Sequence, residues 1–362
     1  MIDVIIVNYE GDAMVLDAIK TSLDGHDRRD IRFVVVDNGS RGSAHAALFE
    51  NSRLVDMLGG LRETSDDDIE FHVPFESIED SGEDDPRITP THRLRAVHVT
   101  QRWLGNNGDV FIKLDRNYGY ETGVNVGMAA GEDGRFADSP ACSSWSDTSD
   151  EERTVLYHSY RDWLKGNLDR PRNDVVLMGS DVRPYAGCFT GLQKTAQLHS
   201  AIGLVGAKLV QRQEGGLFVV GGGYTEDPGQ FHLTGWDASP GPWHTFHVYP
   251  WVTFSCVYIK RECIGAVGTM DMQFFPYAGD TDYCRRAREQ GFANAYCPTA
   301  WALHQQESTT VVMVMRAMPD TEWRDRSIAS QRYFYYKWAD RLVPVVELPT
   351  DVFADAQSWP GR

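Results

Sequence analysis

Two short runs of β-branched residues, each closing on polar residues and separated by a helical pattern, limit this chain's fold more than any other feature. The first, residues 1–9 (MIDVIIVNY), ends in Asn8-Tyr9; the second, residues 31–36, runs into Asp37-Asn38-Gly39-Ser40. Between them, residues 12–23 carry apolar side chains at helical spacing. Strand, helix and strand in this order make a parallel βαβ unit, because parallel neighbours need a crossover between them. Both runs are apolar at successive rather than alternate positions, which predicts a sheet covered by helices on both faces. Open sheets of this kind bind ligands at the carboxyl ends of their strands, so the polar residues there are the first candidates for function.

The pattern continues along the chain. Residues 109–114 and 174–178 read as further buried strands, and the second runs straight into Gly179-Ser180-Asp181-Val182, placing another carboxylate at a strand end. Residues 202–210 and 251–260 also read as strands, and 280–290 as a helix closed by Gly291. The stretch 221–251, rich in Gly, Pro, His and Trp, reads as irregular. Two interruptions stand out. Residues 62–105 contain the acid-dense stretch 66–85, read as a solvated surface excursion, and residues 131–173 hold a Ser/Asp-rich loop and a helix expected over 150–168. The organisation expected is one α/β domain over 1–310 with these two insertions, followed by a helical extension and tail over 311–362. A chain of 362 residues can bury a substantial core in that arrangement.

Charge and cysteine usage narrow the chemistry. With 35 Lys+Arg against 52 Asp+Glu the formal charge is −17, a field that repels nucleic acid and anionic membrane. The six cysteines form no CxxC pair and read as reduced, mostly buried thiols, with neither a disulfide framework nor a zinc site. Asp3 stands where a signal peptide carries basic residues, and the apolar run after it is too short for a signal or a membrane span. A cytoplasmic protein is expected, with peripheral attachment as its route to any lipid-linked partner.

The polar residues after the strands form an ordered set. The first two, Asn8-Tyr9 and Asp37-Asn38-Gly39-Ser40, are followed by Asn117-Tyr118-Gly119-Tyr120-Glu121-Thr122-Gly123-Val124-Asn125-Val126-Gly127. Then come Ser180-Asp181, Gly279-Asp280-Thr281-Asp282-Tyr283-Cys284-Arg285-Arg286 and Ala302-Leu303-His304. The glycine spacing of the long element lets backbone approach a ligand closely and opens a helix whose amides can face phosphate; alone it also fits a plain strand-to-helix turn. Taken in order, the set resembles glycosyltransferase family 2, the rhamnosyltransferase-like inverting enzymes of GT-A fold. The long element matches that family's N-x-G-[FY]-x-x-G-x-N-x-G at every fixed position.

The resemblance implies a Rossmann-like mixed sheet flanked by helices and a nucleotide-diphosphate sugar as donor, a UDP-, dTDP- or GDP-sugar. It implies donor contacts from Asn8, Tyr9, Asp37, Asn38, Asn117, Gly119, Asn125 and Ser180. It implies a divalent metal, Mn2+ or Mg2+, on Asp181 and His304, where the charge of a departing diphosphate needs neutralising. Asp280 maps to the family's general base, which takes the proton of the acceptor hydroxyl. Two departures are visible: Ser180 stands where the family has a further acid or Asn, and Gly279 where it has Glu before the base. Read on their own, Asp37 also fits a turn, Asp280 a helix cap, and His304 a structural role.

The run 230–251 concentrates Trp236, Trp243 and Trp251, whose faces suit sugar rings or bases; it reads equally as an acceptor-side loop or as a loop anchored by its own aromatics. The acceptor implied is a glycan or lipid-linked glycan, and less favourably, given the charge, a hydroxylated base in modified DNA. A nucleotide-sugar-binding module without turnover is the alternative from another class.

Overall fold

The computed structural model describes residues 1–26, 28–40, 60–64, 69–78, 90–130, 173–224, 233–274, 277–305, 320–339 and 341–354, with isolated positions elsewhere. The helix expected over 150–168 lies almost wholly outside the described residues.

The βαβ unit forms as the sequence predicts, from β1 (Ile2–Asn8), α1 (Asp12–Gly25) and β2 (Ile31–Asp37). Every residue of both strands is buried, which is why neither alternates. Alternate side chains of β1 feed two cores: Val4 and Ile6 pack with α1 on one face, while Ile5 and Val7 pack on the other.

Next come β3 (Leu61–Glu63), β4 (Ile69–Ile78) and β5 (Pro90–Gly105), with β3 and β4 each antiparallel to β5. The excursion expected after residue 62 is therefore in part a long hairpin, paired from Ile69 opposite Val99 to Ile78 opposite Pro90. Its signal is the period-two series Ile69, Phe71, Val73, Phe75, which the surrounding acids obscure.

β6 (Val110–Leu114) pairs parallel with β2, and after α2 (Tyr120–Ala129) the chain returns as β7 (Asp174–Gly179), parallel to β1 on its other side. The parallel half therefore reads β6-β2-β1-β7, and chain direction across the sheet switches between β1 and β7. Switch points of this kind leave a crevice at the carboxyl ends of the strands.

The rest of the chain adds β8 (Val182–Pro184), α3 (Cys188–Gln197), β9 (Ile202–Gln213), β10 (Gly216–Gly221) and β11 (Gly223–Tyr224). It continues with β12 (Gly235–Trp236), β13 (His247–Tyr249), β14 (Trp251–Val252) and β15 (Cys256–Ile259). The final elements are α4 (Arg261–Val267), α5 (Gly279–Glu289), β16 (Ala293–His304) and α6 (Asp320–Trp338). β15 runs antiparallel to both β7 and β9, so the sheet is mixed, as expected. The strand expected over 251–260 is split at 253–255, and the turn there brings the Phe254 backbone to the end of β7, where Gly179 N–H donates to the Ser255 carbonyl at 2.9 Å. The five described cysteines are free and buried, and among the described residues no helix is long and apolar enough to cross a membrane.

Candidate active site

Strand register sets the floor of the site. Asn8 lies opposite Asp37, and Val7 opposite Gly179, so the carboxyl ends of β1, β2 and β7 are level. A hydrogen-bond net joins the first two. Ser40 donates its hydroxyl to Oδ1 of Asp37 at 2.5 Å and accepts the Glu10 N–H at 2.8 Å, while Oδ1 of Asn8 accepts the Gly11 N–H at 3.1 Å. Tyr9 is buried beside them. Glu10 is held at φ 56, one of two non-glycine residues with positive φ among those described; the other is Ala278 at φ 74, at the start of α5. Backbone strain of this kind persists only where surrounding contacts fix it, and it clusters at functional sites.

Asn38 fastens this floor to the glycine-spaced element. Its amide donates to Oδ1 of Asn117 at 3.0 Å and to the Gly119 carbonyl at 2.9 Å, and its own oxygen accepts the Tyr118 N–H at 3.0 Å. Gly39 is required beneath that clasp, because at φ 76 a Cβ there would lie 2.1 Å from the Arg116 carbonyl carbon. Asn38 and Asn117 thus shape the loop through each other. Asn125, expected among the donor contacts, is turned elsewhere: its amide pairs with both backbone groups of Met270, at 2.7 and 2.9 Å, deep in the core. The reason is its place in the middle of α2, whose described residues from Glu121 onward are all buried.

At the end of β7, Asp181 and His304 meet because β8, which follows Asp181, pairs with β16 so that Val182 lies opposite His304. Oδ2 of Asp181 is buried, makes no hydrogen bond, and sits 3.3 Å from Nε2 of His304. Ser180 is buried at the same turn, its carbonyl accepting from Arg183 at 2.8 Å. A buried carboxylate oxygen without a hydrogen bond, beside an imidazole, suits a divalent cation that takes its remaining ligands from phosphate and water. No set of three or more protein ligands occurs among the described residues.

Asp280 opens α5 on the other side of this crevice. Burial pushes its carboxyl up to about 6, against the opposing effect of the Thr281 and Phe254 N–H groups that it accepts. Tyr120 bridges back from α2: its hydroxyl donates to the Phe254 carbonyl at 3.3 Å. Burial, reinforced by the charges of Glu121, Asp280 and Asp181, pushes that hydroxyl above the ordinary tyrosine range, so it stays a donor. The same ring therefore senses the carboxylates of both halves of the site. Asp282, in the first turn of α5, pairs with Arg286 at 2.8 Å. It also accepts from Trp338 at 3.0 Å and from Lys337 at 2.8 Å, both on α6.

The three tryptophans do not form one acceptor surface. Trp243 is 8% exposed and packs in the core with Tyr249, Tyr296 and Trp301, its ring filling the space beside Gly235 and Gly241. Trp236 is 39% exposed, but β12 lies four strands out from β7, about 19 Å at the usual strand spacing. Trp251 is partly buried against the core beneath α5. The aromatics of this stretch chiefly anchor the stretch itself.

Tyr120 and Glu121, which the sequence reading did not single out, border the candidate site. Tyr120 occupies a fixed aromatic position of the motif, a signal that was available; Glu121 occupies a variable one.

No family model matches the chain. Over 60 residues, 17% of this chain and 20% of the relative, it is 33% identical to the N-acetylglucosaminyl-diphospho-decaprenol L-rhamnosyltransferase of Mycobacterium tuberculosis, in strains CDC 1551 / Oshkosh and ATCC 25618 / H37Rv. The chain thus matches about a fifth of the length of these curated relatives. Among solved structures it superposes on GalNAc-T7 with UDP, GalNAc and Mn2+ at a TM-score of 0.48 and 9% identity, over 83% of this chain and 42% of that one. What the chain is similar to, in sequence over that short stretch, is a rhamnosyltransferase.

Proposed function

We propose that the chain is an inverting glycosyltransferase of GT-A type, with residues 1–310 as its catalytic domain and 311–362 as an extension that braces it. The observation that carries this reading is the pairing of a polar floor at the ends of β1 and β2 and an Asp181–His304 pair with a buried carboxylate poised near neutrality, Asp280. Asn8, Tyr9 and Asp37 would line the base and ribose end, and Asp181 and His304 would hold Mn2+ or Mg2+. The metal, when bound, supplies positive charge to the leaving group. The acceptor oxygen attacks the anomeric carbon on the face opposite the diphosphate, and its proton passes to the Asp280 carboxylate. The glycosidic C–O bond of the donor breaks with its electron pair leaving on the β-phosphate. The products are an inverted glycoside and a nucleoside diphosphate.

The start of α2 already carries the buried carboxylate of Glu121, which makes it a poor cradle for phosphate. This supports giving the diphosphate to the Asp181 side. A glycan or lipid-linked glycan fits as acceptor, reached in the latter case by peripheral attachment, and the charge of −17 works against a DNA acceptor.

The test is a melting-temperature screen with UDP-, dTDP-, GDP- and CDP-sugars, each with and without manganese. A ligand that binds only the folded state stabilises it by mass action. One nucleotide series should raise the melting temperature, and more so with metal. No shift with any of them would remove the reading; a shift without turnover on any glycan acceptor would leave a binding module.

A further inference from the structure

Gly279 stands where the resembling family carries a glutamate immediately before its base, yet the space beside Asp280 still holds a carboxylate. A methyl group placed on Gly279 would lie 2.6 Å from Oε1 of Glu121 and 3.2 Å from its Cγ. Glu121 reaches this point from α2, the helix across the crevice, and it is only 4% exposed. The start of α5 gives it reason to be there. The positive end of the α5 dipole lies there: Ala278, held left-handed at φ 74, contributes no side-chain cap, and the Thr281 N–H is taken by Asp280 itself at 2.8 Å. Neighbouring Tyr120 ties the same two helices a second time through the Phe254 carbonyl, and the Phe254 N–H is in turn accepted by Asp280.

We infer that Glu121 is a positioning residue for Asp280: the acid missing at 279 is supplied from residue 121 and fixes the first turn of α5, so that the base faces the acceptor hydroxyl. Gly279 is the complement of this transfer, because any side chain there must displace the Glu121 carboxylate. The inference rests on the glycosyltransferase reading and deepens it. It makes residues 121 and 279 one unit, so substitutions at the two positions are strongly non-additive.

The experiment measures kcat and the donor and acceptor KM for wild type, Glu121→Gln, Glu121→Ala, and Glu121→Ala combined with Gly279→Glu, with Asp280→Asn as reference. The single variants should lose about tenfold or more in kcat, while donor KM changes by less than about threefold. The combined variant, which returns an acid to the same space from the other helix, should recover most of the loss. A Glu121→Ala kcat within about twofold of wild type, or a folded combined variant no better than Glu121→Ala, overturns the inference. Should Glu121→Ala not fold, Glu121→Asp decides, since it keeps the charge and withdraws it by one methylene: kcat lowered at constant KM supports positioning, and unchanged kcat overturns it. If Asp280→Asn is as active as wild type, or wild type is inert, the glycosyltransferase reading itself falls and the inference with it. If Asp280→Asn is inactive while the Glu121 variants are not, the inference alone falls.

Discussion

Asp280 must be desolvated enough to hold a proton weakly near neutral pH and still be ionised when an acceptor arrives. Its carboxyl, raised from 3.8 to about 6 by burial, keeps a proton in the folded protein over a range where the unfolded chain has already lost it. The folded state therefore binds more protons between those values, and stability falls as pH rises from about 4 to 6 and stays lower above. Two units correspond to about 3 kcal/mol. Asp280→Asn removes this penalty, so it should melt above wild type near pH 8 and level with it near pH 4, as paired denaturation curves would reveal. Its turnover should fall by about 10²–10⁴-fold. In the wild type, kcat/KM should drop on the acid side of about pH 6, because a protonated base accepts nothing. If Asp181 holds the metal as proposed, Asp181→Ala should abolish the manganese-dependent part of nucleotide-sugar affinity in calorimetry while leaving the metal-free part. The placement of Asp181, Asp280 and His304 was legible because each ends a strand or begins a helix in a recognisable order. Glu121 was not, since its meaning lies in a glycine 158 positions later (279 − 121).

Helix α2 transmits the sheet's position to the crevice because it lies almost flat on β1. A Cβ at Gly123 would meet Cγ1 of Val7 at 2.6 Å, and one at Gly127 would meet Cγ2 of Ile5 at the same distance. Gly123→Ala therefore has to lift the helix, at a cost of about 1–3 kcal/mol, and to shift Tyr120 and Glu121 with it. Pairing it with Val7→Ala should restore most of the stability, and chemical denaturation of the single and double variants checks this. The apolar runs at β1, β2, β6 and β7 were readable because buried parallel strands need no alternation. The β4–β5 hairpin was misjudged because its alternating side chains sit inside an acid-rich stretch whose composition outweighed its period. Trp243 was left open for a different reason: an aromatic ring looks the same in sequence whether it faces a sugar or, as here, fills the space beside two glycines.

Seen whole, the molecule braces the helix that bears Asp280 with α6. Tyr333 and Lys337 of α6 both reach Asp271 at 2.7 Å, Lys337 and Trp338 reach Asp282, and Phe334 and Trp338 lie against Arg285. Burial pushes the Asp282 carboxyl up, but the charges of Arg286 and Lys337 outweigh it and hold the group below its ordinary range. Its contribution to stability is thus present at neutral pH and lost as pH falls. Lys337→Met should destabilise the protein by about 1–3 kcal/mol, because Asp282 stays buried with one charged partner fewer. The loss should shrink in acid, which a melting series against pH would detect. A companion Trp338→Phe variant keeps the packing and removes only the indole N–H, so it isolates the hydrogen bond.

The latch from α6 to Asp282 also sets an order of events during synthesis. On the proposed function, every residue of the donor floor has been made by position 181, and His304 completes the proposed metal pair, yet the helix that bears Asp280 gains its brace only when residues 333–338 arrive. A nascent chain should pass through a stage in which it grips nucleotide sugar and cannot yet use it. A version ending at residue 305 loses that brace together with the core contacts of Val352, Phe353 and Trp359; where it still folds, it should retain metal-dependent donor affinity while its kcat collapses. The sugar would then be held by a protein in which α6, rather than the first strand, decides when chemistry begins.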